Sequence, residues 1–284
     1  MTQLNSKALL VQLKISQWTA RKYDKRVTKE AAENNNADMV AGRYNKSLLP
    51  MTDSLKQVHK KASTIRATYY ENTLKWDTDG VQLLPTANYL DFMSKFGTLK
   101  NEYYDLVNKF VSGYSQHVED AEEYLGDMYN PADYPSTAEI MDKFKMDMNV
   151  SPLPADDFRV EIGEADLAAI QYDVEQRVQA AQSKAMEDVW QRLYDKVEAI
   201  VERLSDPSAL FKNSLIENAA SLCELLPRLN FADDPELEAM RREVEAKLTR
   251  YSSEVVRNDP DRRREVAADA KDIANKMSVF MGGK

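Results

Sequence analysis

The sequence predicts a mainly α-helical protein with a small β element, an α+β fold of long helices followed by a C-terminal antiparallel helical run, with no OB fold. Three observations carry this. Residues 86–128 and 164–204 bear apolar stripes at close to the helical period of 3.6. Three Asp-Pro steps (Asp206-Pro207, Asp234-Pro235, Asp259-Pro260) mark helix starts, because Asp caps a first turn and Pro tolerates the first helical position. Only a few short stretches alternate with period two.

Taken in order, Leu9, Val11, Leu13 and Ile15 face one way and Gln12, Lys14 and Ser16 the other, which predicts a half-buried strand over residues 8–18. Residues 20–33 suit a helix ending at the three asparagines 34–36. Leu55, Val58, Ala62, Ile65 and Tyr69 predict a helix over 52–73. Asp79-Gly80 between two apolar runs predicts a hairpin, since Gly accepts positive φ without cost. The tract 86–128 reads as a long helical tract, which Gly97 and Gly113 weaken but need not break. A short helix is expected at 136–145, with strands at Lys145–Val150 and Phe158–Ile162 that pair with the N-terminal strand. The stripe from Leu167 to Leu204 predicts a long helix packed on its neighbours or on a second copy. The Asp-Pro steps then open helices running to about Leu226, Val256 and Val279. The chain divides into a basic-start α+β domain, 1–163, and a helical bundle region, 164–284.

The chain has 284 residues, 43% hydrophobic and 30% charged, which is a globular composition rather than a disordered one. One cysteine, Cys223, excludes an intramolecular disulfide and fits a reducing, cytoplasmic setting. No signal-peptide pattern and no apolar run long enough to span a bilayer is expected. The net charge of −9 is unevenly placed: residues 1–76 hold 14 Lys and Arg against 6 Asp and Glu, and the remainder holds 24 against 41. A basic segment on an acidic body points to an anionic partner; the rival explanation is that the two parts pair with each other.

No enzyme is expected. The chain lacks GxxxxGK[ST], GxGxxG and GxSxG, and His59 and His117 are its only histidines, so a triad or a zinc site has little to draw on. Asp77-Thr78-Asp79-Gly80 resembles part of a calcium loop, but Lys75 and Thr86 stand where carboxylates are needed. The acidic run Glu119, Asp120, Glu122, Glu123 and Asp127 reads as a solvated helix face rather than an ion site. No catalytic residue, metal ligand or cofactor is assigned.

What remains is a basic quarter in which cations alternate with aromatics. Trp18, Arg21, Lys22, Tyr23, Lys25, Arg26 and Lys29 form one group; Arg43, Tyr44 and Lys46 a second; Lys56, Lys60, Lys61, Arg66, Tyr69, Tyr70, Lys75 and Trp76 a third. Single-stranded nucleic acid is held by this mixture, cations on phosphates and rings on bases. The candidate contacts are Trp18, Arg21, Lys22, Tyr23, Lys25, Arg26, Arg43, Lys60, Lys61, Arg66, Tyr70, Lys75 and Trp76. Tyr69 continues an apolar stripe and reads as core, and Lys56, Lys60 and Lys61 are equally explained as a solvated helix face.

One resemblance adds to this. Leu83-Leu84-Pro85 with Asn88-Tyr89, then Tyr134-Pro135-Ser136, then Asp157-Phe158-Arg159-Val160, occur in an order that resembles a family of phage-encoded proteins, over roughly residues 8–165. In size and charge layout the chain is also similar to a helical single-stranded-DNA-binding cofactor of the RNA polymerase of N4-like phages. The resemblance implies a phage protein in the host cytoplasm that binds single-stranded DNA. It further implies a role in transcription or replication through a phage polymerase as partner. Apart from the resemblance, the residues lead to no expected membrane association, and the acidic helical part is expected to contact a protein partner or a second copy. No catalytic residue carries over. The alternative is an acidic protein-interaction factor, a host-protein modulator or DNA-charge mimic. A nuclease whose carboxylates converge from distant positions ranks third.

Overall fold

The structure is a computed structural model; it describes residues 7–76, 80–153, 164–206 and 209–282. The strands are β1 (Ala8–Ser16), β2 (Arg21–Tyr23), β3 (Asn45–Ser47), β4 (Leu74–Lys75), β5 (Val81–Pro85) and β6 (Lys145–Pro152). The helices are α1 (Lys25–Asn34), α2 (Asp53–Asn72), α3 (Thr86–Ser112), α4 (Tyr114–Leu125), α5 (Thr137–Ile140), α6 (Glu164–Ser205), α7 (Ser214–Leu229), α8 (Pro235–Leu248), α9 (Ser253–Asn258) and α10 (Pro260–Gly282). The protein is mainly α-helical with a small antiparallel sheet of order β4-β5-β1-β6 and a separate two-stranded ribbon of β2 and β3. The four-stranded sheet does not close into a barrel.

The chain forms two compact units, each assembled from separated stretches: residues 1–12, 69–93 and 149–284 in one, 13–68 and 94–148 in the other. In the first unit β1 pairs antiparallel with β5, Ala8 opposite Pro85 and Gln12 opposite Val81. β4 pairs with β5 through Leu74–Leu83 and Lys75–Gln82. This is the expected hairpin; Gly80 has φ +79°, and residues 77–79 of its turn, with the partial calcium loop, lie outside the described residues. Leu10, Leu74 and Leu83 join Val189, Leu193, Val197 and Ile200 of α6 in one core with α7, α8 and α10. The long stripe therefore does bury itself, at Val174, Ala181, Ala185 and on to Leu204. Farther toward the N-terminus, Ile170 is 41% exposed. The two aspartates whose Pro is described cap as expected: Asp234 accepts from the N–H of Glu236 and Leu237, and Asp259 from those of Asp261 and Arg262. Trp190 packs part-buried against this core and donates from Nε1 to Asp234 at 3.0 Å. Cys223 is buried, and desolvation pushes its thiol up to about 12.

Several expectations are corrected. Residues 21–23 are extended rather than helical, because Lys22 pairs with Lys46 across the ribbon and α1 starts only at Lys25, capped by Asp24. The tract 86–128 is broken at Gly113, where a Cβ would meet His117 Nε2 at 3.2 Å; α3 and α4 are separate helices. The helix at 136–145 ends at Ile140 and gives way to a 3-10 turn, Met141–Lys143, with Lys145 already in β6. The helix expected from Asp206 begins instead at Ser214, and the one expected to reach Val256 stops at Leu248 before α9. The strand at Phe158–Ile162 lies outside the described residues, whereas β6 lies beside β1 as anticipated.

In the second unit Trp18, Phe110, Tyr114 and Phe144 meet edge-on or tilted at centroid distances of 5.7–6.4 Å, a favoured aromatic geometry. Tyr134 donates to the Leu48 carbonyl at 2.9 Å and Tyr114 to that of Pro135 at 2.9 Å, fixing the 128–136 turns against this core.

Arg241 and, to a lesser extent, Arg242 hydrogen-bond Glu238 and hold its carboxyl down at about 2. A depressed folded-state value contributes stability that is complete above the unfolded carboxylate range and is lost as pH falls toward 2. Urea unfolding from about pH 5 to 2 is therefore expected to show a stability loss that Glu238→Gln reduces. An identical pH profile in the variant would assign the loss to other carboxylates.

Candidate nucleic-acid interface

The β2–β3 ribbon is where the structure gathers the predicted cations and rings. Cross-strand partners share a face, so Arg21, Tyr23, Asn45 and Ser47 lie on one side and Lys22 and Lys46 on the other. The second side faces acid. Lys46, 5% exposed, sits 2.8 Å from Asp133 and 3.7 Å from Asp24, and it donates to the Met128 carbonyl. Lys22 lies 3.8 Å from the same Asp133. Asp24 also receives the N–H of Val27, the main cause that lowers its pKa, with Lys46 adding to it. The ribbon is thus clamped from beneath by a desolvated ion triad.

Its other side is open. Arg21 is exposed, Tyr23 is 37% exposed, and the Arg43 guanidinium lies 5.0 Å from the Tyr23 ring centroid, a cation–π pair. Tyr44, 41% exposed, precedes β3 in phase with Lys46 rather than with this open side, and its backbone bonds Asp24 and the Thr28 hydroxyl. Among the described residues, Arg21, Lys25, Arg43, Lys60 and Arg66 have no carboxylate within ion-pair distance.

The remaining candidates are dispersed or engaged. Trp18 is part of the aromatic core, and its carbonyl contacts His59 Nε2 at 2.9 Å. Arg26 pairs with Glu30, Lys29 with Glu33, Lys56 with Asp53 and Lys61 with Glu102. Lys60 is exposed on α2. Tyr70, Lys75 and Trp76 belong to the other unit. There Tyr70 is 52% exposed against the buried Tyr69 ring, Lys75 lies 3.5 Å from Asp188, and Trp76 is half-buried on the main core. Local pairing is therefore extensive: the unit of residues 13–68 and 94–148 carries 17 Lys and Arg against 16 Asp and Glu.

Neither histidine forms a triad. His117 Nε2 lies 3.1 Å from Ser54 Oγ and its ring stacks on Phe110, but no carboxylate contacts either ring among the described residues. No group of three metal-ligating side chains occurs among them either. No described helix is long and apolar enough to cross a membrane. Asp133, which fixes the ribbon, lies 87 positions from Lys46 and was not singled out by its sequence context.

Replacing Lys46 with Met leaves Asp24 and Asp133 facing each other without their cation, so a destabilisation of about 3–5 kcal/mol is expected in urea unfolding. A loss below about 1 kcal/mol would mean the triad is not what holds the ribbon.

Comparison of the chain with protein-family models, with curated proteins and with solved structures gives no match, so the functional reading rests on these residues.

Proposed function

We propose that the protein binds single-stranded DNA on the open face of the β2–β3 ribbon and does no chemistry on it. The observation that carries this is the coincidence, on β2 and the residue pair that precedes β3, of cations without acid partners and a solvent-facing ring: Arg21, Tyr23 and Arg43, with Lys25 at the start of α1. Exposed rings stack on bases that a duplex keeps stacked internally, and the guanidinium groups reach phosphates. The clamp under the ribbon matters to affinity, because a preorganised surface loses less entropy on binding. On the resemblance noted above, the strand would be presented during phage transcription or replication.

With about three phosphates contacted, the salt slope for a single strand is about 2, well below that of a broadly basic protein. Fluorescence anisotropy with labelled oligonucleotides is expected to show preference for a single strand over a duplex. Tyr23→Ala is expected to weaken binding by about 1–3 kcal/mol, roughly 5- to 150-fold. Equal affinity for duplex and single strand would sink the proposal. Lys22 and Arg26, being engaged with Asp133 and Glu30, are expected to matter less than Arg21 and Arg43.

A second reading has its own observation. The other unit carries 21 Lys and Arg against 31 Asp and Glu, a surface suited to a basic protein partner such as a polymerase. If that surface alone is functional, a purified phage RNA polymerase is retained by the protein after nuclease treatment and released by moderate salt. Loss of retention on nuclease treatment would favour the DNA reading instead.

A further inference from the structure

α1 has a single buried residue, and it is polar: Thr28, 3% exposed. A buried hydroxyl costs free energy unless its hydrogen-bonding capacity is used, whereas an apolar side chain would pack at such a position without that cost. Here both the proton and a lone pair are used. Thr28 Oγ1 donates to the Asp24 carbonyl at 2.7 Å and accepts the Tyr44 N–H at 3.0 Å. The Asp24 carbonyl also receives the Thr28 N–H at 3.1 Å, so it is satisfied without the hydroxyl. The Tyr44 N–H has no other acceptor among the described residues.

This bond acts on the chain just outside the ribbon. The pairing of β2 with β3 ends at Tyr23 and Asn45, and the Asp24 N–H extends it by one bond, to the Tyr44 carbonyl at 3.0 Å. The Thr28 hydroxyl is the anchor beyond that. Gly42 and Arg43 make no backbone hydrogen bond among the described residues, and the next fixed point is Ala41, whose N–H meets the Asp38 carbonyl at 3.0 Å. Arg43 is thus held between Ala41 and Tyr44. Its guanidinium has no carboxylate within ion-pair distance among the described residues and rests 5.0 Å from the Tyr23 ring centroid. It lies at the end of a long side chain, so a small backbone rotation carries it off the ring, and the attraction fades beyond about 6 Å.

We infer that Thr28 is a positioning residue of the single-strand site: its hydroxyl fixes the backbone that aims Arg43 at a phosphate, without itself touching the strand. The inference rests on the single-strand reading above and adds to it a residue that is buried, uncharged and outside the ribbon. Valine has nearly the shape of threonine but neither the donor nor the acceptor; serine has both and lacks only a methyl group. The two substitutions therefore separate the hydroxyl's role from packing.

The test measures oligo-dT affinity and its salt dependence by fluorescence anisotropy in the intact protein, Thr28→Val and Thr28→Ser, with circular dichroism to verify that each is folded at the working temperature. Thr28→Val is expected to weaken binding about fivefold and to lower the salt slope by about 0.7, the share of one phosphate. Thr28→Ser is expected to stay within about twofold of the intact protein in affinity and to keep its slope. In an Arg43→Ala background, Thr28→Val is expected to cost no more than about twofold further, because two residues that act through one contact are not additive. Thr28→Ala removes the hydroxyl without crowding and takes the place of the valine variant if that one does not fold. Unchanged affinity and slope without the hydroxyl overturn the inference, as does a fivefold loss repeated in the Arg43→Ala background. In either case a loss of binding on Tyr23→Ala would leave the ribbon reading standing. If the intact protein does not bind oligo-dT, the ribbon reading itself fails, and the role of Thr28 with it.

Discussion

The ion triad under the ribbon is the constraint on which the candidate interface depends. Two three-residue strands have too few ladder hydrogen bonds to persist alone. Here Lys46 lies between Asp24 and Asp133 with almost no water to screen it, and each carboxylate belongs to a different part of the chain. Asp24 is also the cap of α1, so one side chain ties the ribbon to the helix that follows it. Asp133 arrives from a 3-10 turn held by Asn130, near the tyrosines that anchor to Leu48 and Pro135. A desolvated ion pair is weak as a source of net stability, but it penalises every arrangement in which the charges part. It therefore serves to choose one geometry for the loop that carries Arg43 and Tyr44.

The triad is one instance of a wider pairing in a segment with 14 cations and 6 acids. Most of those cations meet a carboxylate, some within a helical turn and some far along the chain. What is left is a small set of groups distinguished by having no such partner. Affinity for a polyanion would then come from a few well-placed contacts and from ring stacking, with little long-range steering.

The helices were largely legible from the sequence because burial follows a period that can be counted. Leu55 to Tyr69 and Val189 to Leu204 lie buried along α2 and α6 as their spacing indicates. Asp234 and Asp259 announced their helices because capping is a local interaction. The failures have the opposite character. Arg21–Tyr23 looked helical because its charges carry no strand periodicity, and its extended form depends on pairing with residues more than twenty positions away. The break at Gly113 falls inside a stripe whose apolar period runs on through it. For the interface, residue types were visible but their faces were not: Trp18 and Tyr23 are five residues apart, and one is in the aromatic core while the other faces solvent.

Cys223 has a practical side. Its sulfur is 1% exposed within α7, and a thiol held near 12 is almost never the reactive thiolate at neutral pH. The folded chain thus presents no accessible thiol of its own to a maleimide or a spin label. A single cysteine introduced on the ribbon would be the sole labelled position without further engineering, so the neighbourhood of Tyr23 can be fitted with a reporter while the rest of the molecule stays silent.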